Sequence, residues 1–205
     1  MRFVLALMGF MVLSIPAFAQ VTPALDEDPD NVLIMQLKDG PVVIRMRPDL
    51  APNHVKRIKE LVRQGFYDAV VFHRVIPGSI AQTGDPTGTG AGGSGQHLKA
   101  EFSGEPHMRG TVSMARAEDL DSADSQWFIC LKANPDFNRR YTVWGKVIRG
   151  MEFVNHIEPG NPDTDGHVTT PDHIVSIRVE ADPPRPVAPP APAKAPPKKS
   201  KAVAH

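Results

Sequence analysis

The stretch Val70-Val71-Phe72-His73-Arg74-Val75-Ile76-Pro77-Gly78 decides how this chain is read. Six apolar residues surround a single arginine, in a run whose β-branched and aromatic content predicts a strand over Val70–Ile76. Pulling a guanidinium toward an apolar surface costs stability, and a break of this kind in an otherwise consistent pattern marks a working site more often than a scaffold. The strand ends at Pro77-Gly78, a turn signal, and a second short strand is predicted over Ile80–Thr83 with Gln82 inside it. Further on, Ser125-Gln126-Trp127-Phe128-Ile129-Cys130 supplies another apolar strand that carries a polar glutamine.

Outward from these strands the pattern is that of one domain. Val32–Leu37 and Val42–Met46 read as strands joined by a Lys38-Asp39-Gly40 hairpin. Pro52 suits a first helical turn. Val55, Ile58, Leu61 and Val62 recur at helical spacing within Asn53–Gln64, and Gly65 ends the helix. Strands are expected at Gly110–Arg116, Gln126–Leu131, Thr142–Ile148 and His173–Val179, with a short helix at Met151–Ile157. Many short strands and two helices point to a mainly β architecture, an antiparallel barrel or sandwich with helical caps.

The ends read differently. Arg2, the apolar run Phe3–Ile15 and Ala17-Phe18-Ala19 form an export-signal pattern over residues 1–19, with cleavage after Ala19. Pro16 interrupts a run already short for a membrane span, so the mature protein is expected in the periplasm or secreted. Residues 20–30 are a polar lead-in, 31–180 the folded domain, and 181–205 a Pro/Ala/Lys tail whose composition predicts disorder. Formal charge is zero, but from Pro183 onward the tail holds five cations and no acid; with Arg2 in the signal-type segment set aside too, 17 basic residues face 23 acidic ones in the body. A mildly acidic body is not the profile of a nucleic-acid binder.

Several chemistries lack their required context. Gly88-Thr89-Gly90-Ala91-Gly92-Gly93 matches G-x-G-x-x-G, but no apolar helix follows it. The eight histidines show no metal-ligand spacing, and no G-x-S-x-G elbow is present. Cys130 sits between Ile129 and Leu131 and reads as a small buried hydrophobe.

Taken together, Phe72–Gly78, Gln82 with Gly84-Asp85, Gly110-Thr111-Val112-Ser113-Met114-Ala115, Ser125–Ile129 and Trp144-Gly145-Lys146-Val147 resemble the cyclophilin family of peptidyl-prolyl cis-trans isomerases, in unbroken order over residues 31–180. The resemblance implies a closed eight-stranded antiparallel barrel capped by two helices, with a groove on its outer surface. It implies no metal and no cofactor, and proline-containing polypeptides as partners; the protein is read as a monomer. Arg74 occupies the catalytic arginine position and Gln82 the residue that orients it. Phe128 would be the floor of a proline pocket, with Ile80 and Phe137 as walls. Ala115 and Arg116 would offer backbone contacts, and Gln126 would lie beside the residue before proline. Tyr141 stands where many relatives carry His. Ser79 stands where an aromatic is usual, which removes a wall worth roughly 1–3 kcal/mol of binding. Asp136 replaces a tryptophan linked to cyclosporin affinity, so weak drug binding is expected.

The chemistry fits these residues. Rotation about X–Pro faces a barrier of ~18–20 kcal/mol because it breaks amide resonance, and no covalent bond to the enzyme is needed to lower it. A twisted amide nitrogen regains a lone pair, and arginine donates to it without ever losing its proton. One such bond is worth about 1.5–3 kcal/mol, whereas a ~10⁵-fold acceleration needs about 7 kcal/mol. A dry, proline-shaped slot must supply the remainder. The alternative function is a binding module or holdase that grips proline segments with little turnover. Arg74 and Gln82 argue for catalysis, because gripping needs only the slot. No acid lies near Arg74 in sequence, so a purely structural ion pair there has no evident partner.

Overall fold

The computed structural model describes residues 28–185; the signal-type segment 1–19, most of the lead-in and the tail from 186 onward lie outside the described residues. Eight strands form one antiparallel sheet: β1 Val32–Gln36, β2 Pro41–Met46, β3 Arg74–Ile76, β4 Ile80–Thr83, β5 Thr111–Met114, β6 Trp127–Cys130, β7 Val143–Arg149 and β8 Ser176–Val179, in the order β3-β4-β6-β5-β7-β2-β1-β8. The helices are α1, Pro52–Arg63, and α2, Met151–Val154. The expected fold class is observed with one correction. The sheet curls into a barrel, but no continuous ladder closes it: β3 and β8 are its ends. Between them the chain makes an isolated Val71–His173 bridge, with Phe72 N–H donating to Asp172 O (2.8 Å) and Ile174 N–H to Val70 O (2.9 Å). Most of the predicted Val70–Ile76 strand is spent on this irregular seam, and only Arg74–Ile76 pairs regularly, with β4.

Inward-facing side chains fill the barrel. Trp127 and Trp144 pack edge to face at 5.7 Å, and Tyr67 and Phe72 meet Trp127 at 6.1 and 6.5 Å. Leu33, Met35, Ile44, Met46, Met114 and Ile129 complete this fully buried core. Helix α1 covers it with Val55, Ile58, Leu61 and Val62. Its N-cap, Ala51, has no capping side chain. The cap comes from Glu101, 48 positions beyond Asn53, whose carboxylate accepts Asn53 N–H (3.2 Å), His54 N–H (3.1 Å) and the His54 ring (2.6 Å). Burial works against the Glu101 charge, but the His54 and Asn53 hydrogen bonds outweigh it and hold the carboxyl below its usual range. The last described residues return to the domain. Asp182 pairs with Arg63 (2.9 Å), and Arg185 pairs with Asp68 (3.3 Å) and donates to Ile177 O (2.7 Å).

Candidate active site

Strand register builds the site. Arg74 pairs with Gln82, Gln82 with Phe128, and Phe128 with Ser113. One row of side chains therefore crosses β3, β4, β6 and β5 on a single face. The next row is Ile76, Ile80 and Cys130. These residues face away from the barrel interior and form a second, smaller apolar cluster: Ile80, Phe128 and Cys130, with Ile76, Ala115, Phe137 and Tyr141 packed against it. The turn that fixes the β3–β4 register uses Pro77 and Gly78. Gly78 takes the left-handed conformation (φ 66°), and Ser79 N–H closes onto Ile76 O at 2.9 Å.

The slot is aromatic. Phe128 is 3 % exposed and meets Phe137 at 5.6 Å and Tyr141 at 5.5 Å, both edge to face. Beneath it lies His107, stacked at 6.2 Å and invisible to sequence reasoning, in which it is only one of eight scattered histidines. Asn138 Oδ1 accepts from the His107 backbone N–H (2.8 Å) and lies 3.2 Å from ring Nδ1. Nδ1 is then the protonated nitrogen, and Ser113 Oγ–H donates to Nε2 at 2.8 Å. A Ser–His contact suggests a nucleophile and its base, but both residues are sealed under Phe128, at 0 % and 1 % exposure. Burial also holds His107 below its usual pKa, and pushes the Cys130 thiol up to about 11. Neither is a nucleophile that a peptide can reach.

A chain of hydrogen bonds borders the slot. Arg74 Nη1 donates to Gln82 Oε1 (3.0 Å), Gln82 Nε2 to Gln126 Oε1 (2.9 Å), and Gln126 Nε2 to Gly90 O (2.9 Å) and Gly92 O (2.8 Å). Its far end is fixed by Asp85, a fully buried carboxylate that accepts N–H groups from Thr87, Thr89, Gly90 and Gly92. Burial disfavours the Asp85 charge, yet the hydrogen bonds from Thr87, Gly92 and Gly90 prevail and lower its pKa. The G-x-G-x-x-G match is thus a loop wrapped around a carboxylate of its own chain.

The structure brings most of the predicted residues together. Arg74, Gln82, Gln126, Phe128, Ile80, Phe137, Tyr141 and Ala115 share this face. Arg116 contributes more than backbone: its guanidinium lies over the Tyr141 ring (5.2 Å) and donates to Arg140 O, Ala117 O and Glu118 O. Ser79 is tied to Asn134, Oγ to Oδ1 at 3.2 Å, at the position where the sequence resemblance implies the loss of an aromatic wall. A cavity of about 350 Å³ lies beside the aromatic cluster, lined by Gln82, Gln126, Ala115, Arg116, Asp124 and the Gly90–Gly93 loop. One expectation is corrected. Arg74 does have an acidic partner, Asp165, 91 positions away: Nη2 donates to Oδ1 (2.9 Å) and Nε to Oδ2 (3.1 Å). That carboxylate sits on the outer rim, 78 % exposed, so the arginine is not drawn into the core.

An outward-facing apolar cluster edged by a fixed guanidinium, on the outer face of an eight-stranded curled barrel with two helices, is the architecture of a prolyl isomerase. The family model for cyclophilin type peptidyl-prolyl cis-trans isomerases matches residues 32–179, and the chain belongs to that family. A probable peptidyl-prolyl cis-trans isomerase of Brucella suis is 47 % identical over 193 residues, 88 % of this chain and 97 % of that one. Peptidyl-prolyl cis-trans isomerase B of Bacillus subtilis is 42 % identical over 128 residues, 61 % of this chain and 89 % of its own. Among solved structures, a Cryptosporidium parvum cyclophilin crystallised in the presence of the dipeptide Ala-Pro superposes with a TM-score of 0.68 at 29 % identity, covering 74 % of this chain and 99 % of that one. The protein is a cyclophilin-type peptidyl-prolyl cis-trans isomerase.

Proposed function

We propose that Arg74 carries the isomerase reaction by donating a hydrogen bond to the prolyl nitrogen as the X–Pro amide twists, while the proline ring sits against Phe128 between Ile80 and Phe137. The observation that supports this most directly is the Arg74–Gln82 hydrogen bond at 3.0 Å on the edge of the slot. A guanidinium has five N–H groups. Gln82 and Asp165 occupy one on each of Nη1, Nη2 and Nε, which leaves two for a substrate. Gln82 and Gln126 border the residue before proline, and the Ala-Pro used with the Cryptosporidium relative is the minimal ligand of this kind. The clients are X–Pro bonds of folding or exported polypeptides, and export itself is read from the pattern of residues 1–19. A mature protein beginning at Gln20 in a periplasmic or secreted fraction is the expected result; a full-length cytoplasmic protein would overturn that part.

The test of mechanism is exchange NMR on an Ala-Pro tetrapeptide with wild type and Arg74→Ala. Exchange lost while peptide-induced shifts persist supports the reading. Exchange retained in Arg74→Ala refutes the role of the arginine. The second reading, a proline-segment binder with little turnover, is favoured by one feature only, the Ser79–Asn134 contact that leaves a wall of the slot polar. It predicts shifts without exchange in the wild type.

A further inference from the structure

We infer that Asp165 is a positioning residue for the isomerase reaction: its carboxylate, delivered by the loop between α2 and β8, clamps the Nε/Nη2 side of Arg74 while Gln82 holds Nη1, so that the free N–H groups are presented to the slot in one orientation. The inference rests on the role proposed above for Arg74.

Three observations carry it. The first is the geometry of the clamp. Oδ1 and Oδ2 accept from Nη2 and Nε at 2.9 and 3.1 Å, and the Asp165 backbone carbonyl also accepts from Nε at 3.1 Å. A planar fork met side-on by two carboxylate oxygens has its plane fixed, which a single contact cannot do.

The second is that the loop does not need the ion pair to hold its shape. Val75 N–H donates to Gly166 O (2.7 Å), Gly160 N–H to Val75 O (3.0 Å), and Val168 N–H to His73 O (3.1 Å), stapling both ends of the loop to β3. Within it, Asn161 N–H donates to His167 O (3.0 Å) and Gly166 N–H to Asn161 O (2.9 Å). Gly160 packs so tightly on Gly166 that a Cβ at 160 would collide with the Gly166 carbonyl. The backbone thus delivers Asp165 to a fixed place, and its side chain acts on Arg74 rather than on the loop.

The third is solvent exposure. With the Asp165 side chain 78 % exposed and that of Arg74 31 % exposed, water screens the pair. The carboxylate therefore cancels little of the charge that Arg74 offers a substrate, and orientation outweighs neutralisation. Asp165 itself is held in the left-handed region (φ 52°), where Asp, Asn and Gly are tolerated and other residues are strained.

That conformation chooses the variants. D165G removes both carboxylate contacts and keeps the turn and the backbone carbonyl; D165N keeps Oδ1 and the turn. The expected result is that D165G lowers kcat on an Ala-Pro peptide about tenfold, the scale of one misaligned charge-assisted hydrogen bond, with KM within about twofold of wild type. D165N should recover to within about threefold. In an Arg74→Ala background D165G should change the residual activity less than about twofold, because the clamp then has nothing to hold. Equal losses from D165G in both backgrounds would assign Asp165 a structural role and overturn the inference, as would an unchanged kcat or an effect confined to KM. A readout on the unmodified protein covers the case in which D165G folds poorly. The ¹⁵N spectrum of wild-type Arg74 should show a sharp Nε–H and separate Nη signals from hindered rotation, and a fully averaged guanidinium would overturn the clamp. Exchange lost in Arg74→Ala but kept in D165G sinks only this inference, whereas exchange kept in Arg74→Ala sinks the reading beneath it.

Discussion

Arg74→Lys separates the two things an arginine can bring to this slot, a positive charge and a rigid fork of donors. Lysine keeps the charge but places all its donors on one nitrogen. In the wild type, Nη1 is committed to Gln82 at 3.0 Å and Nε and Nη2 to Asp165 at 3.1 and 2.9 Å, with donors still free. An ammonium drawn to the Asp165 carboxylate leaves Gln82 unpaired and cannot also point at a prolyl nitrogen beside Phe128. The loss is then about one hydrogen bond to a charged group, ~1.5–3 kcal/mol, or roughly 10- to 150-fold in rate. Folding should scarcely change, because a pair this exposed contributes about 0.2–1 kcal/mol. Exchange NMR on an Ala-Pro tetrapeptide should show kcat falling within that range, while a shift titration shows peptide affinity within about threefold of wild type. A kcat for Arg74→Lys within threefold of wild type would refute the reasoning, since charge alone would then suffice.

Other expectations follow from the same geometry. Ser79→Phe should raise kcat/KM on a proline peptide, by no more than the roughly 1–3 kcal/mol of one buried ring, because it exchanges the 3.2 Å Asn134 contact for the missing wall; an unchanged or lower value would mean that the slot is closed in another way. Asp85→Asn places an amide opposite the N–H groups of Thr87, Thr89, Gly90 and Gly92. It should cost about 1–3 kcal/mol, seen as a lowered melting temperature, and should depress kcat as Gln126 loses its anchor. Burial lowers the pKa of both His73 and His107 from 6.5. The unfolded chain therefore binds protons at these sites before the native one does, and stability should be full above pH 6.5 and fall below it, by at most about 1.4 kcal/mol per pH unit for each histidine. Replacing His107 by Gln should flatten part of that slope in chemical denaturation at pH 7 and pH 5.

What could be read in the chain was whatever is encoded locally. Pro77-Gly78 predicts a turn, and the turn sets a register that brings Gln82 opposite Arg74. Alternation in Trp127-Phe128-Ile129-Cys130 separates the residues of the barrel core from those of the slot. What escaped depends on distance. His107 is placed by Asn138 and Ser113, Asn134 by Ser79, and Arg74 by Asp165, each through a contact between segments that no periodicity connects. The absence of an acid near Arg74 in sequence said nothing about space, because the loop that carries Asp165 is brought to β3 by backbone hydrogen bonds. Strand ends were overdrawn for a related reason. Gln126 and Ala115 are apolar-strand neighbours, but they lie just outside β6 and β5, where the Gln126 side chain is free to reach the glycine-rich loop.

The burial of β6 gives this outer face an apolar core of its own. All four of its residues are buried, although the strand has two faces and only one looks into the barrel. Trp127 and Ile129 belong to the main core. Phe128 and Cys130 belong to a second one, covered from outside by Phe137, Tyr141 and Ala115 rather than by a helix or another sheet. A helix would seal such a face. Here the cover is a 3₁₀ turn at Pro135–Phe137 and the half-buried Tyr141. On the proposed reading, a pyrrolidine ring completes that small core and gains apolar burial at roughly 25 cal/mol per Å². On that reading the ring's amide meets the row that holds Gln82 and Arg74, because β3, β4 and β6 are in register. Binding and donor placement, as proposed, are thus consequences of one sheet geometry. A change that shifts the β4–β6 register should impair both together, whereas changes at Arg74 or Asp165 should lower turnover and leave binding nearly unchanged.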